Sequence, residues 1–343
     1  MTSHASHLNS APGEVFEFYT SLPTMEYVKQ PLTIQQQIQK LESRGLIVDD
    51  KDIARNYLQN ISYYRLRAYT YPFQDNYDPD ADHRFVRKDI HFADIIDLYC
   101  FDRRLRALLF NAIEKIEVAF RTKITYEYAI RTMDSHWFMD ESLFKDDYYK
   151  ETDTGKNVFK YNKLIDDIQY EVDRSNEDFI KHYQDKYTDP AMPPSWMALE
   201  VVSFGTLSKL YELLKKDESK ILISKSFGIN NIAIMENWLH AISNLRNCCA
   251  HHSRIWNRRF VVGVKLPYNT DFPFMDRDTI SKTKQNKLFA ILSCIKYIID
   301  TISPDSDFKK NFISILNGGG KLLSMKEMGF PENWQYLDVW KNK

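Results

Sequence analysis

The sequence is short of glycine, cysteine and net charge, and each shortage closes off a class of protein. Only 10 glycines occur in 343 residues. With the long helical periods described below, this favours an α-rich fold, because helix interiors exclude glycine. The glycine cluster Gly318-Gly319-Gly320 has no Lys-Ser/Thr after it and no strand before it, so it reads as a flexible break and not as a phosphate loop. The four cysteines, Cys100, Cys248, Cys249 and Cys294, include no C-x-x-C pair, which argues against a zinc knuckle or a dithiol centre. Net charge is −1, so any contact with nucleic acid must come from local patches and not from a global field. No apolar run of about 18 residues exists, and no membrane span is expected. The start, Met1 to Gly13, is polar and predicts no signal peptide. Adjacent Cys248 and Cys249 read as small core residues, as suits a reducing, cytoplasmic location. No carboxylate cluster suggests a two-metal site, and neither a metal nor a cofactor is expected.

What the chain does have is aromatic residues, 14%, within a hydrophobic content of 43%, enough for a sizeable core. Residues 1–30 lack periodicity and are expected to be a flexible segment. Residues 31–90 predict an N-terminal helical subdomain. Thr33 caps a helix to about Ser43, Gly45 supplies the left-handed residue beyond it, and Asp49 or Asp50 caps a second helix to about Asn60. The pair resembles a helix-turn-helix, with Arg55 as the basic reader on its second helix. The aromatic run from Tyr63 to Phe73 is either core packing ended by Pro72, or a base-stacking platform with Arg65 and Arg67 on phosphates.

Residues 91–303 predict the main helical domain. Its longest amphipathic stretch, Phe92 to Arg131, is one helix or two. Glu114, Glu117 and Arg121 can share one face of it, as an ion-pair ladder or a site lining. Residues 132–160 read as an acidic, aromatic loop region. Further helices fit about 161–184, 196–202, 205–215, 232–253 and 280–302, the last with Lys282, Lys284 and Lys287 on its exposed side. Residues 304–343 read as a C-terminal tail in which Trp334 and Trp340 look exposed.

The stretch from Asn244 to Arg259 concentrates the groups able to hold a phosphate and move a proton. On a helical wheel of about 100° per residue, Trp238, Ile242, Leu245, Cys249 and Trp256 form one apolar stripe. Glu236, His240, Ser243, Asn244, Asn247, His251, Arg254 and Arg258 lie opposite. That polar face has no Lys, the usual solubiliser; Arg and His suit a fork of donors or a proton transfer. His251 faces outward, with Asn247 four residues before it and placed to orient its ring. His252 leans toward the core. Arg246 lies about 140° from His251, so the two do not share a face of an ideal helix. Either the helix ends here, or two copies of the chain complete one site. Cutting RNA by attack of the ribose 2′-hydroxyl needs a base, an acid and a cation at the phosphorane. Two facing copies supply them without a metal. An amphipathic helix with a basic end remains the plain alternative.

Arg246-Asn247-Cys248-Cys249-Ala250-His251 resembles the R-x4-6-H motif of HEPN ribonucleases. The run Leu245-Arg246-Asn247…Cys249-Ala250-His251-His252…Arg254…Trp256-Asn257-Arg258 resembles the bacterial abortive-infection, Abi-like (AbiD/AbiF) family. So do Asn60–Leu66, Phe101-Asp102-Arg103…Leu105-Arg106, Lys115-Ile116-Glu117…Arg121-Thr122 and Pro194–Ala198…Ser203-Phe204-Gly205. The resemblance spans roughly residues 30–260. It implies an all-α, HEPN-type helical bundle with an N-terminal helical extension and a C-terminal helical segment. It implies a homodimer and metal-independent RNA cleavage in anti-phage defence, with RNA as substrate and with a regulatory RNA or an antitoxin as further partners. It assigns Arg246, Asn247 and His251 to catalysis, although the spacing to His252 also fits. Arg254, Arg258, Arg259 and His252 are expected to hold RNA. Two rival readings stay open: an RNA-binding or RNA-regulated sensor that does not cut, and a DNA regulator built on residues 33–61.

Overall fold

The computed structural model describes residues 28–341. The polar start, and residues 1–27 of the expected flexible segment, lie outside them. Among the described residues there are fourteen α-helices and one two-stranded hairpin, an all-α fold.

The N-terminal helices form where the caps place them. α1 (Ile34–Ser43) starts in a capping box between Thr33 and Gln36. It ends with Gly45 at φ 95° and the Leu46 N–H on the Leu41 carbonyl at 3.1 Å. α2 (Lys51–Ile61) is capped by the Asp50 carboxylate. Its Arg55 is paired with Asp52. α3 (Tyr63–Thr70) buries Leu66, Tyr69 and Thr70, and a single 3-10 turn at Tyr71–Phe73 closes the aromatic run.

α4 (Phe92–Thr132) is one unbroken helix of 41 residues, about 60 Å long. It contains no proline or glycine, and it ends where Met133 turns left-handed at φ 54°. Leu98, Phe101, Leu105, Leu109, Ile113, Ile116, Phe120, Ile124 and Tyr128 bury its length. The molecule packs around this rod, which α3 and several later helices meet. Of the expected ladder, Glu117 and Arg121 pair at 3.0 Å and Arg121 also reaches the Val202 carbonyl, whereas Glu114 lines a cleft on α4.

Several expectations change beyond α4. Residues 132–160 are not all loop: β1 (Tyr148–Lys150) pairs antiparallel with β2 (Asn157–Phe159), Tyr149 opposite Val158. The helix expected over 161–184 is two, α5 (Lys160–Asp173) and α6 (Asp178–Lys186). Ser175 and Asn176 stand at the break, where short polar side chains compete with helix for the backbone. α7 (Ser195–Val201) and α8 (Phe204–Leu213) follow as expected. α9 (Glu218–Lys225), capped by Asp217, has no counterpart among the expected helices. α10 (Ile232–Ala250) packs on α4, α8 and α9.

The helix expected over 280–302 is also two, α11 (Arg277–Lys282) and α12 (Leu288–Ile302). α12 is buried from Leu288 to Ile299, as a helix apolar on all sides must be. Lys287 sits in the intervening turn, half-buried, and donates to the Asn257 and Glu327 carbonyls at 3.4 and 3.0 Å. The C-terminal tail is folded as α13 (Phe308–Asn317) and α14 (Asp338–Lys341). Trp334 and Trp340 are buried, 6% and 0% exposed. Their rings meet edge-to-face and pack on Phe312, and Trp340 Nε1 donates to Ser293 Oγ at 2.9 Å. This aromatic cluster joins residues far apart in the chain, so no local period announces it. The glycine run is tied to α4 by Arg104, which donates to the Gly318 carbonyl at 2.8 Å.

Lys220 fixes the bundle beside α10. It is fully buried, and its ammonium donates to Glu236 at 2.6 Å and to the Leu214 and Glu212 carbonyls at 2.7 and 3.2 Å. Burial lowers its pKa to about 8, against the pull of Glu236. Between that value and its unfolded one, the unfolded chain binds the extra proton, so stability rises with pH through this window. Unfolding free energy is expected to increase by about 1–2 kcal/mol from pH 7.5 to 9.5 relative to Lys220→Met. Urea titrations of both proteins at the two pH values measure it. An equal response from the two would assign the change elsewhere.

Candidate functional site

Trp238, Ile242, Leu245 and Cys249 bury one side of α10, as the wheel requires; Ser243, expected on the opposite face, is buried as well, and Glu236 turns inward to Lys220. The helix stops at Ala250, short of the expected Ser253. His251 N–H donates to the Asn247 carbonyl at 3.0 Å, His252 N–H to Cys249 and Ser253 N–H to Cys248. This is a Schellman ending with His252 in the left-handed position at φ 55°, where glycine is usual. The wheel therefore no longer applies beyond residue 250. His252 does not lean into the core; it is exposed, as His251 is.

Arg246 lies against α4. Its guanidinium sits 5.7 Å from the centre of the Phe110 ring, and its Nε is 3.9 Å from the Glu117 carboxylate. That Nε is buried and makes no hydrogen bond. Asn247 is exposed and meets His251 through its backbone carbonyl; among the described residues no hydrogen bond joins their side chains. Arg254 turns inward to donate to the Ala68 carbonyl on α3, and burial lowers its pKa. Arg258 is half-exposed and Arg259 exposed.

The chain after the helix is held by a buried carboxylate that sequence reasoning did not single out as functional. Asp102, 0% exposed, accepts the Trp256 N–H at 2.8 Å, the Ile255 N–H at 3.2 Å and the Tyr69 hydroxyl at 2.7 Å. It also pairs with Arg106, one helical turn on, whose guanidinium reaches the Ser253 carbonyl at 3.2 Å. Arg65 completes the clamp by donating to the His252 carbonyl at 2.9 Å. Burial raises the Asp102 pKa, while Arg106 and the other donors oppose the shift. A signal was present: Asp102 and Arg106 form an i, i+4 pair inside an apolar stripe, where a solvated pair has no place.

These elements enclose a cleft of ≈ 850 Å³. Arg65 and Arg103 supply its positive charge beside the Asp102-paired Arg106, Glu114 one negative charge, Tyr99 and Phe110 its aromatic wall, and His252 its edge on the motif side. Arg246 sits over the same Phe110 ring. The Cys249 thiol in the wall is pushed up to about 12 by burial, which removes it as a nucleophile. Among the described residues no group of His, Cys, Asp and Glu is placed to hold a metal, and no helix is long and apolar enough to cross a membrane. The arrangement can bind an anionic, partly aromatic ligand beside the exposed His252 imidazole.

His252 holds a backbone conformation that costs a side chain about 1–2 kcal/mol. Its replacement by glycine is expected to raise stability by about 0.5–1 kcal/mol once the extra freedom of the unfolded chain is subtracted. Thermal denaturation of His252→Gly beside the parent measures the gain. A loss of stability would show that the side chain holds the loop.

The chain matches the family of Abi-like proteins over residues 56–257. The match ends within the clamped loop, after both histidines. No curated protein and no solved structure matches the chain.

Proposed function

The chain belongs to the Abi-like protein family, named for abortive infection, and from that premise we propose that it is a metal-independent endoribonuclease of anti-phage defence, of the HEPN type, acting as a homodimer. The observation that carries this reading is the end of α10. Arg246 lies on the cleft's Phe110 and His252 on its edge, with His251 exposed one residue before the clamped loop. In the proposed step a histidine takes the proton of a ribose 2′-hydroxyl. The 2′-oxygen bonds to phosphorus, and the bond to the 5′-oxygen breaks as a second histidine protonates it. The products end in a 2′,3′-cyclic phosphate and a 5′-hydroxyl. Arg246 stabilises the charge on the phosphorane, His251 acts as base or acid, and Asn247 orients. His252, Arg258 and Arg259 hold flanking phosphates, with Arg254 shaping the loop between them. A regulatory RNA or an antitoxin covering this face would silence it.

The dimer reading rests on the outer side of α4. Tyr126 and Ile130 are exposed on neighbouring turns of the helix, with Trp196 of α7 beside them. Such an apolar patch is what one helix offers another to pack on. Single-stranded RNA incubated with the protein in excess EDTA tests the reaction. Fragments with 2′,3′-cyclic ends are expected, and intact RNA would sink it. A second reading, RNA binding without cleavage, is favoured by one observation: within one copy Arg246 lies by Glu117 and not by His251. RNA bound but never cut would establish it.

A further inference from the structure

The chain leaving the clamped loop does not run free. Phe260 N–H donates to the Asn286 carbonyl at 2.9 Å, and Val264 N–H to the Gln285 carbonyl at 3.0 Å. Residues 258–264 thus lie along the turn between α11 and α12. That turn carries Lys284 and Lys287, with the Lys287 N–H on the Lys284 carbonyl at 3.0 Å. Arg258, Arg259, Lys284 and Lys287 therefore gather in one place, although about 25 residues separate the two pairs in sequence.

The charge there is one-sided. Lys287 has one carboxylate, that of Glu327, at 4.0 Å. Arg258, Arg259 and Lys284 have no acidic partner among the described residues. Burial, with Lys284, Arg259 and Arg254 adding to it, lowers the Lys287 pKa against the pull of Glu327. Cations held together without counter-charge raise the free energy of the fold, and a bound polyanion relieves that cost. Arg259 and Lys284 are exposed to receive one.

We propose that Arg258, Arg259 and Lys284 form a phosphate track for single-stranded RNA, with the half-buried Lys287 adding positive charge beneath them, continuing from the cleft along the loop that carries His252. The inference rests on the reading that the cleft takes RNA. It adds a binding surface whose lysines lie outside the family match. A single strand fits better than an acidic protein because one loop, residues 252–259, joins the cleft to the cluster. A strand lying along that loop meets both.

The test uses full-length protein carrying His251→Ala, so that the probe survives, and a fluorescent single-stranded RNA of about 20 nucleotides. Adding Arg259→Glu and Lys284→Glu is expected to weaken binding about tenfold or more. It should also reduce the slope of log Kd against log salt by about 1.4, two single-strand phosphate contacts. Arg259→Lys with Lys284→Arg should bind within about twofold of the parent. Unchanged affinity after charge reversal overturns the track and leaves the nuclease reading standing. Equal loss from reversal and conservative swap assigns the residues to folding and also overturns it. Reversal that abolishes binding to phosphatidylserine vesicles but spares RNA assigns the cluster to lipid and overturns the track as well. No RNA binding by any of these proteins overturns track and function together. Cleavage by the protein with His251 intact is scored separately: RNA bound through the track but never cut keeps this inference and removes the nuclease.

Discussion

Alanine at Arg246 or at His251 is expected to lower RNA cleavage by about 10²–10⁴-fold, the usual worth of a general acid–base group or an oriented cation at a developing charge. Neither change should unfold the protein. His251 is exposed, and Arg246 makes a ring contact and a long approach to Glu117 but no hydrogen bond through its buried Nε. Stability changes should stay within about 1 kcal/mol. Mixing then distinguishes a site within one copy from a site shared by two. If Arg246 of one copy serves His251 of the other and His252 supplies the second imidazole, a dimer of Arg246→Ala with His251→Ala keeps one intact site. A co-refolded equal mixture should then recover about a quarter of the parent activity, since about half of the dimers are mixed and each mixed dimer has one site of two. Sites complete within one chain, or sites that need both His251 side chains, recover nothing. Single variants that cut as fast as the parent would falsify the catalytic assignment outright. His252→Ala belongs in the same series, because His252 lines the cleft whereas His251 caps the helix.

Asp102→Ala should be the most destabilising single change near the site, at about 3–5 kcal/mol. It strips the partner from Arg106, which is itself buried, and orphans the Ile255 and Trp256 N–H groups and the Tyr69 hydroxyl. The size of the loss comes from what remains unpaired and not from the attraction of the pair. Asp102→Leu with Arg106→Met should therefore be less damaging than Asp102→Ala alone, though not neutral, because the two backbone donors remain without acceptors. Urea denaturation of the parent and both variants measures the comparison. A double variant as unstable as the sum of its parts would mean the charges are not the dominant cost. Cleavage should fall with Asp102→Asn even where the protein folds, since the carboxylate sets the path of residues 253–256.

The all-helical class, the caps of α1 and α2, the buried stripe of α10 and the helical character of α4 are all readable in the residues, whereas the sequence allows α4 as one helix or two. Each depends on neighbours a few positions apart: Thr33 with Gln36, Asp50 with Ile53, Trp238 with Ile242 and Leu245. Family membership is readable for the same reason, in short blocks kept in order. What fails is the extension of a local period past a tertiary event. The wheel runs on through His252, but the chain turns at that residue because Asp102, Arg106 and Arg65 capture the loop beyond it. Trp334 and Trp340 look exposed in sequence because their partners, Phe312, Phe330 and Ser293, are remote. Lys287 looks solvated until the turn before α12 closes over it. The sequence by itself determined which residues could hold a phosphate or carry a proton. Only the tertiary structure decided which stand together, because Arg65, Phe110, His252 and Lys287 share no local period, and burial of a common core brings them to one side of the molecule.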